Sequence, residues 1–187
     1  MAEIQSDAAR EALKRFIAGD RESFTRFYHA TRNALYFYVR AQIGLAARPH
    51  AEEVLQEFYV KICRKPELFA DAAHFLGYLY TALRRDVIRF NENRQVREQN
   101  EIHSASATGA WSAAPDAEDG RELMEWLESL PAGPREVIAL KLNDDLTFEE
   151  ISRLTGQPLP TLAAQYRRGI QSLRERWLRK NRGSGHE

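Results

Sequence analysis

Apolar positions recur along this chain at intervals of three and four residues, the spacing that lays a stripe along one face of an α-helix. Leu13, Phe16, Ile17, Phe24 and Phe27 begin such a face, and Leu35, Tyr38, Val39, Gln42 and Ile43 resume one after Thr31 to Asn33. In HAEEVLQEFYVKICRK, Val54, Phe58 and Ile62 repeat every four residues and Leu55 and Tyr59 widen the stripe, which leaves Glu52, Glu53, Gln56, Glu57 and Lys61 on other faces. Leu76, Tyr80, Leu83, Val87 and Phe90 follow spacings of 4, 3, 4 and 3, with Arg84, Arg85 and Arg89 off the stripe. Pro49 and Pro66 fall between these patterns and punctuate them. The pattern predicts a bundle of about four helices before residue 101.

The segment 103–120, HSASATGAWSAAPDAEDG, has neither helical nor strand periodicity and the composition of a linker. Trp111 is its one aromatic, read as docked on a neighbouring domain or on nothing. Helical patterns then return. Leu123, Trp126, Leu127 and Leu130 form one stripe, closed by Pro131 and Gly133, and Pro134 can start a helix whose core is Val137, Ile138, Leu140 and Leu142. Thr147 with Glu150 reads as a capping box, and Gly156 stands where a helix end needs positive φ. Phe148, Ile151 and Leu154 line that short helix, and Leu162, Tyr166, Ile170, Leu173 and Trp177 line a longer basic one after it. Two helices joined by a glycine-containing turn, the second basic, meet the requirement of a helix-turn-helix. The expected class is all-α: two small helical domains, residues 1–100 and 121–182, joined by a flexible acidic linker, 101–120.

Composition narrows the function. With 187 residues, 43% hydrophobic and 29% charged, the chain can build a globular core. No apolar run approaches the roughly 20 residues a spanning helix needs, and the N-terminus lacks a signal-peptide core, so a cytoplasmic protein with no membrane insertion is expected. Cys63 is alone and the five histidines are scattered, which supports neither a disulfide nor a zinc site. There is no Gly-rich phosphate loop, metal-ligand cluster or nucleophile–base pairing, so no enzyme, catalytic residue, metal or cofactor is expected. The formal charge of zero conceals a pattern: residues 1–100 carry 16 basic and 13 acidic side chains (+3), residues 101–120 carry 0 and 4 (−4), and residues 121–187 carry 11 and 10 (+1). Two basic clusters, 84–97 and 167–182, bracket an acidic connector.

The order of AEEVLQEFYVKI, FLGYLYTALRRDVIR, an acidic linker and LESLPAGPREVIALKLNDDLTFEEISRLTG resembles the bacterial sigma-70 family in its short extracytoplasmic-function (ECF) form. The likeness covers nearly the whole chain, the first half resembling sigma region 2 and the last region 4. It implies a factor that binds core RNA polymerase, directs it to −35 and −10 promoter elements and assists melting. In the family a D-x-x-Q-E helix docks on the polymerase clamp-helix coiled coil; Glu53, Gln56 and Glu57 match it here, with Glu for the usual Asp. A carboxylate and amide row can accept charge-assisted hydrogen bonds from polymerase Arg and Lys.

The resemblance also assigns the loop 65–75 and the helix after it to the −10 element and its non-template strand. Arginines there would follow phosphates while pockets receive unstacked bases. Arg84, Arg85 and Arg89 are the backbone candidates, and Asp71, His74 and Tyr78 the candidates for lining a base pocket. Tyr80 is read as core, and Phe69 and Phe75 are open between core and pocket. Tyr78 stands at a frequent family Trp, Arg85 at a common Asn and Arg89 at a common Asp. The helix beginning near Pro160 would read the −35 element in the major groove. Where the family commonly has T-V-K-S-R-x-x-R-A, this chain has Thr161, Leu162, Ala163, Ala164, Gln165, Tyr166, Arg167, Arg168 and Gly169. The −35 candidates are therefore Thr161, Ala163, Ala164, Gln165, Arg167 and Arg168, while Leu162, Tyr166, Ile170 and Leu173 are read as helix core. Alanine can pack on a thymine methyl and glutamine can read adenine. Asp116, Glu118 and Asp119 would let the linker imitate nucleic-acid charge within the polymerase. The implied partners are core RNA polymerase at its clamp helices and flap, promoter DNA and, as in many members, an anti-sigma factor. The competing reading is a free-standing helix-turn-helix regulator that binds duplex DNA without polymerase.

Overall fold

The computed structural model describes residues 6–100, 118–144 and 146–183, and among them it contains helices and no strand. In chain order they are α1 (Ser6–Ile17), α2 (Arg21–Ile43), a 3-10 segment (Leu45–His50), α3 (Ala51–Arg64), the single turn α4 (Glu67–Ala70), α5 (Phe75–Asn100), α6 (Glu118–Glu128), α7 (Ala132–Asp144), α8 (Phe148–Thr155) and α9 (Leu159–Gly183). Trp111 and Asp116 lie outside the described residues; Glu118 and Asp119 open α6, so this helix begins inside the expected linker.

The apolar face from Leu13 to Phe27 is divided by a break that its spacing conceals. Gly19 adopts φ +101°, and Asp20 caps α2 by accepting from the Ser23 backbone at 3.3 Å and its hydroxyl at 2.6 Å. Beyond the break α2 runs uninterrupted through Thr31–Asn33. Thr31 is tolerated because its hydroxyl donates to the Phe27 carbonyl at 2.9 Å and lies 2.8 Å from the Tyr59 hydroxyl, leaving no buried oxygen without a partner. Phe27, Leu35, Phe58, Ile62, Tyr80 and Leu83 are fully buried between α2, α3 and α5. Tyr80 is core as expected, and Phe69 and Phe75 are buried with it.

In the second half, Val137 to Leu140 are four successive buried residues, so α7 has no wet face in its middle. A helix apolar all round has to be enclosed. Here α9 covers one side of α7 and α2 the other, and Phe37 of α2 packs with Leu127, Leu130 and Ile138. The apolar core is consequently continuous from the first half into the second. Contact between α7 and α9 is close at Gly169, where an added Cβ would lie 2.4 Å from Ile138 Cδ1 and 3.2 Å from Pro134 Cβ.

Thr147 and Glu150 form the expected capping box: the Glu150 amide donates to Thr147 Oγ1 at 3.2 Å and the Thr147 amide to Glu150 Oε2 at 2.8 Å. Gly156 takes the left-handed conformation (φ +73°) and donates to the Ser152 carbonyl at 2.8 Å, which turns the chain toward α9. In α9, Leu162 is buried and Tyr166 and Leu173 are half-buried, but Ile170, expected in the core, is 38% exposed and Trp177, which continues its stripe, 53%. This 25-residue helix extends past the shorter helices it packs against, so its later stripe positions lack cover.

Hydrogen bonds from the Thr147 amide and hydroxyl hold the Glu150 carboxyl below its ordinary pKa. A depressed carboxylate stabilises the fold above its unfolded pKa and loses that contribution as pH falls through the folded one. Thr147→Ala should cost about 1 kcal/mol at neutral pH, and denaturant titrations should show its gap from wild type narrowing below the carboxylate range.

Candidate polymerase and nucleic-acid interfaces

On α3 the buried residues are Val54, Leu55, Phe58, Tyr59 and Ile62, which sends Glu53, Gln56 and Glu57 outward on the opposite side. All three are exposed, and the structure brings them into one row at i, i+3 and i+4. His50 Nδ1 lies 3.1 Å from Glu53 Oε2. Gln56 borders a shallow hollow with Tyr28, Arg32, Tyr36, Leu55 and Tyr59, over which the Arg32 guanidinium stands 5.9 Å from the Tyr36 ring centre. The row thus offers acceptors beside an apolar notch.

The α5 surface is differently placed. Arg85 and Arg89 are exposed, as are Asp71 and His74 in the preceding loop. Tyr78 is 39% exposed and meets Phe69 edge-on at 5.2 Å, so its ring is half anchored and half available. Two other candidates are engaged by the second half of the chain. Arg153 of α8 donates to His74 Nε2 at 2.9 Å. Arg84 donates through Nε to Glu136 Oε1 at 2.7 Å, and its half-buried side chain is not directed to solvent as the α5 stripe implied.

Glu136 belongs to a buried polar cluster that the sequence does not single out. The Tyr38 hydroxyl of α2 donates to Glu136 Oε1 at 2.9 Å, so one carboxylate ties α7 to both α2 and α5. Burial, reinforced by the nearby carboxylate, pushes the Tyr38 phenol well above its ordinary pKa, while the Glu136 hydrogen bond raises that of Arg84. At the end of α6, the Glu128 side chain is fully enclosed and receives Arg40 Nη2 at 3.4 Å and the guanidinium of Arg48. Arg135 donates to the Glu128 carbonyl at 3.0 Å. The available hint was position: Glu136 immediately precedes the uninterrupted apolar run 137–140, where burial on all sides was to be expected.

On α9 the side opposite Leu162 presents Thr161, Ala163, Arg167 and Arg168 to solvent, with Ala164 half-buried. Gln165 stands apart from this surface. It is half-buried against α7, with its amide where a Cβ on Gly133 would come within 2.7 Å, and its Oε1 has no hydrogen-bond partner. The surface can therefore offer a thymine-methyl contact and guanidinium contacts to phosphate, while Gln165 would have to change rotamer to reach a base. No helix among the described residues is long and apolar enough to cross a membrane.

Residues 120–173 match the family described as Sigma-70, region 4. Over 172 residues the chain is 28% identical to the ECF RNA polymerase sigma factor SigK of Mycobacterium tuberculosis H37Rv, spanning 88% of this chain and 91% of the relative. It is 24% identical over 182 residues to the ECF RNA polymerase sigma factor SigD of Mycobacterium bovis, spanning 92% and 85%. Among solved structures, the fold is similar to the sigma factor RpoE of Bartonella quintana in complex with the anti-sigma factor NepR (TM-score 0.62, 21% identity, 82% of this chain and 96% of that one). It is also similar to CnrH in complex with the cytosolic domain of CnrY (TM-score 0.60, 16% identity, 90% and 96%).

Tyr38→Phe removes one of two donors to Glu136 without opening space, so it should lower stability by about 1 kcal/mol. A chemical-denaturation midpoint equal to that of wild type would mean that the phenol contributes nothing there.

Proposed function

We propose that the chain is a sigma-70 family factor of the ECF form, and that its surfaces divide the work of transcription initiation. It binds core RNA polymerase, directs it to −35 and −10 promoter elements and assists strand separation, while bond formation is left to the polymerase. The observation that carries the reading is the exposed row Glu53, Gln56 and Glu57, set on a helix whose other side is locked into the core. A protein that worked on duplex DNA alone would have no use for acceptors directed at a cationic partner.

In this reading residues 1–100 form the polymerase-docking and −10 module, 121–182 the −35 module, and 101–120 the connector between them. Arg85 and Arg89 follow the backbone of the non-template strand, and Asp71, His74 and Tyr78 line the place of an unstacked base, with Arg84 joining once it is released from Glu136. Thr161, Ala163, Ala164, Arg167 and Arg168 face the −35 duplex. The protein works in the cytoplasm, where polymerase and promoter are, and performs no catalysis of its own. An anti-sigma protein is proposed as a regulatory partner, since the structurally similar RpoE is seen in complex with the anti-sigma factor NepR.

Gln56→Ala or Glu57→Lys should abolish co-purification with core polymerase at unchanged helicity. Retained binding would remove the docking assignment. Arg85→Ala with Arg89→Ala should reduce open-complex formation in run-off transcription more than it reduces polymerase affinity. Its salt dependence on single-stranded −10 DNA should become shallower by about two phosphate contacts; equal loss of both activities would exclude a strand-holding role.

A further inference from the structure

The acceptor row on α3 runs beside a second line of side chains, on α2. Tyr28, Arg32 and Tyr36 stand at i, i+4 and i+8, so they share one face of that helix over about 12 Å. With Leu55, Gln56 and Tyr59 they enclose the hollow between the two helices. Its floor is apolar and fixed: Leu55 and Tyr59 are buried, the Tyr59 hydroxyl is turned inward to Thr31 at 2.8 Å, and the Tyr28 ring meets that of Tyr59 at 4.8 Å. Gln56 belongs to both the hollow and the row, which makes them one continuous surface. Arg32 is the odd member. It is half-buried, yet among the described residues its guanidinium meets the Tyr36 ring and no acceptor, although Glu52 lines the same hollow. A partly desolvated cation with five donors calls for an anion.

We infer that the polymerase-docking surface extends over α2, and that its occupant there is a helical segment of core polymerase presenting an apolar side chain to the hollow and a carboxylate to Arg32, beside the cations that meet Glu53 and Glu57. The inference rests on the docking reading of α3 and adds to it a requirement of sign. A uniformly acidic surface would accept any basic helix. One guanidinium set among carboxylates rejects a partner with a cation at that place, and so fixes which way the helix lies. An apolar anchor in a small pocket, flanked by charge-assisted hydrogen bonds, is also the arrangement that concentrates binding energy at an interface.

The test is binding of the full chain to purified core polymerase, measured by calorimetry. Arg32→Met keeps the side-chain stem and removes the charge. Against a uniformly basic partner, loss of this cation would tighten binding; against a carboxylate it should weaken binding by about tenfold, with helicity and thermal midpoint unchanged. Arg32→Lys should retain most of the affinity, and Arg32→Glu should lose about a hundredfold. If Arg32→Met does not fold, as read by helicity, Arg32→Gln replaces it. Tyr28→p-benzoylphenylalanine, a photo-crosslinking replacement, identifies the occupant: the captured polymerase peptide should carry Asp or Glu within one helical turn of the captured apolar residue. Equal or tighter binding by Arg32→Met, a crosslink to a polymerase segment with no acidic residue in that turn, or a crosslink to a second copy of this chain would each overturn the inference. Glu57→Lys separates it from the reading beneath it. Should that variant lose binding while Arg32→Met does not, the extension over α2 alone fails; should both bind like wild type, the docking reading fails with it.

Discussion

A carboxylate that leaves water must be met by donors placed to receive it, and this chain meets that requirement twice across the same boundary. Glu128 and Glu136 are the buried carboxylates among the described residues, at 5% and 8% exposure, and both find their side-chain donors in the first half of the chain. Apolar contact between α7 and α2 would tolerate a shift along the helix axes, since hydrophobic attraction has no direction. Tyr38, Arg40, Arg48 and Arg84 remove that freedom, because they sit on three separate elements and only one placement of α6 and α7 satisfies them all. These pairs are better understood as setting the register than as adding stability, since an apolar replacement of similar volume is often as stable.

Much of the helical content was legible because its signals are local. The capping box at Thr147, the left-handed Gly156 and the 4-3-4-3 stripe of α5 each depend on neighbours a turn away. What was hidden depends on distant residues. Gly19 and Asp20 divide the stripe of α1 from that of α2, because a turn of suitable length can carry an apolar face onward in phase. Exposure of Ile170 and Trp177 depends on the lengths of the helices opposite, which no local pattern encodes. The exposed row on α3 could be read from its amphipathic spacing. The engagement of Arg84 could not, since its partner lies 52 positions away and an arginine off the stripe looks the same whether it meets solvent or Glu136.

The same distinction explains why zero net charge is compatible with work on nucleic acid. Electrostatic attraction follows local density, and the exposed arginines at 85, 89, 167 and 168 form small separated groups. Where this chain carries alanines, the common family pattern has Lys and Ser, so α9 offers few phosphate contacts of its own. Each missing contact weakens duplex binding and its salt dependence together. A weak grip on free DNA suits a factor that meets promoters only as part of a larger assembly, because specificity then falls to the complex.

In the proposed assembly the acceptor row of α3 and the arginines of α5 would have to be rigidly related, and the packing of α3 on α5 provides this. Phe58, Ile62, Tyr80 and Leu83 are fully buried between these helices and α2. On the rim, Lys61 reaches both carboxylate oxygens of Asp86, at 2.9 and 3.0 Å. An exposed pair of this kind adds little stability, but it ties α3 to α5 one turn from Glu57 and next to Arg85. Whatever fixes Glu53, Gln56 and Glu57 in space therefore also fixes Arg85 and Arg89, through a close-packed interior that does not deform continuously.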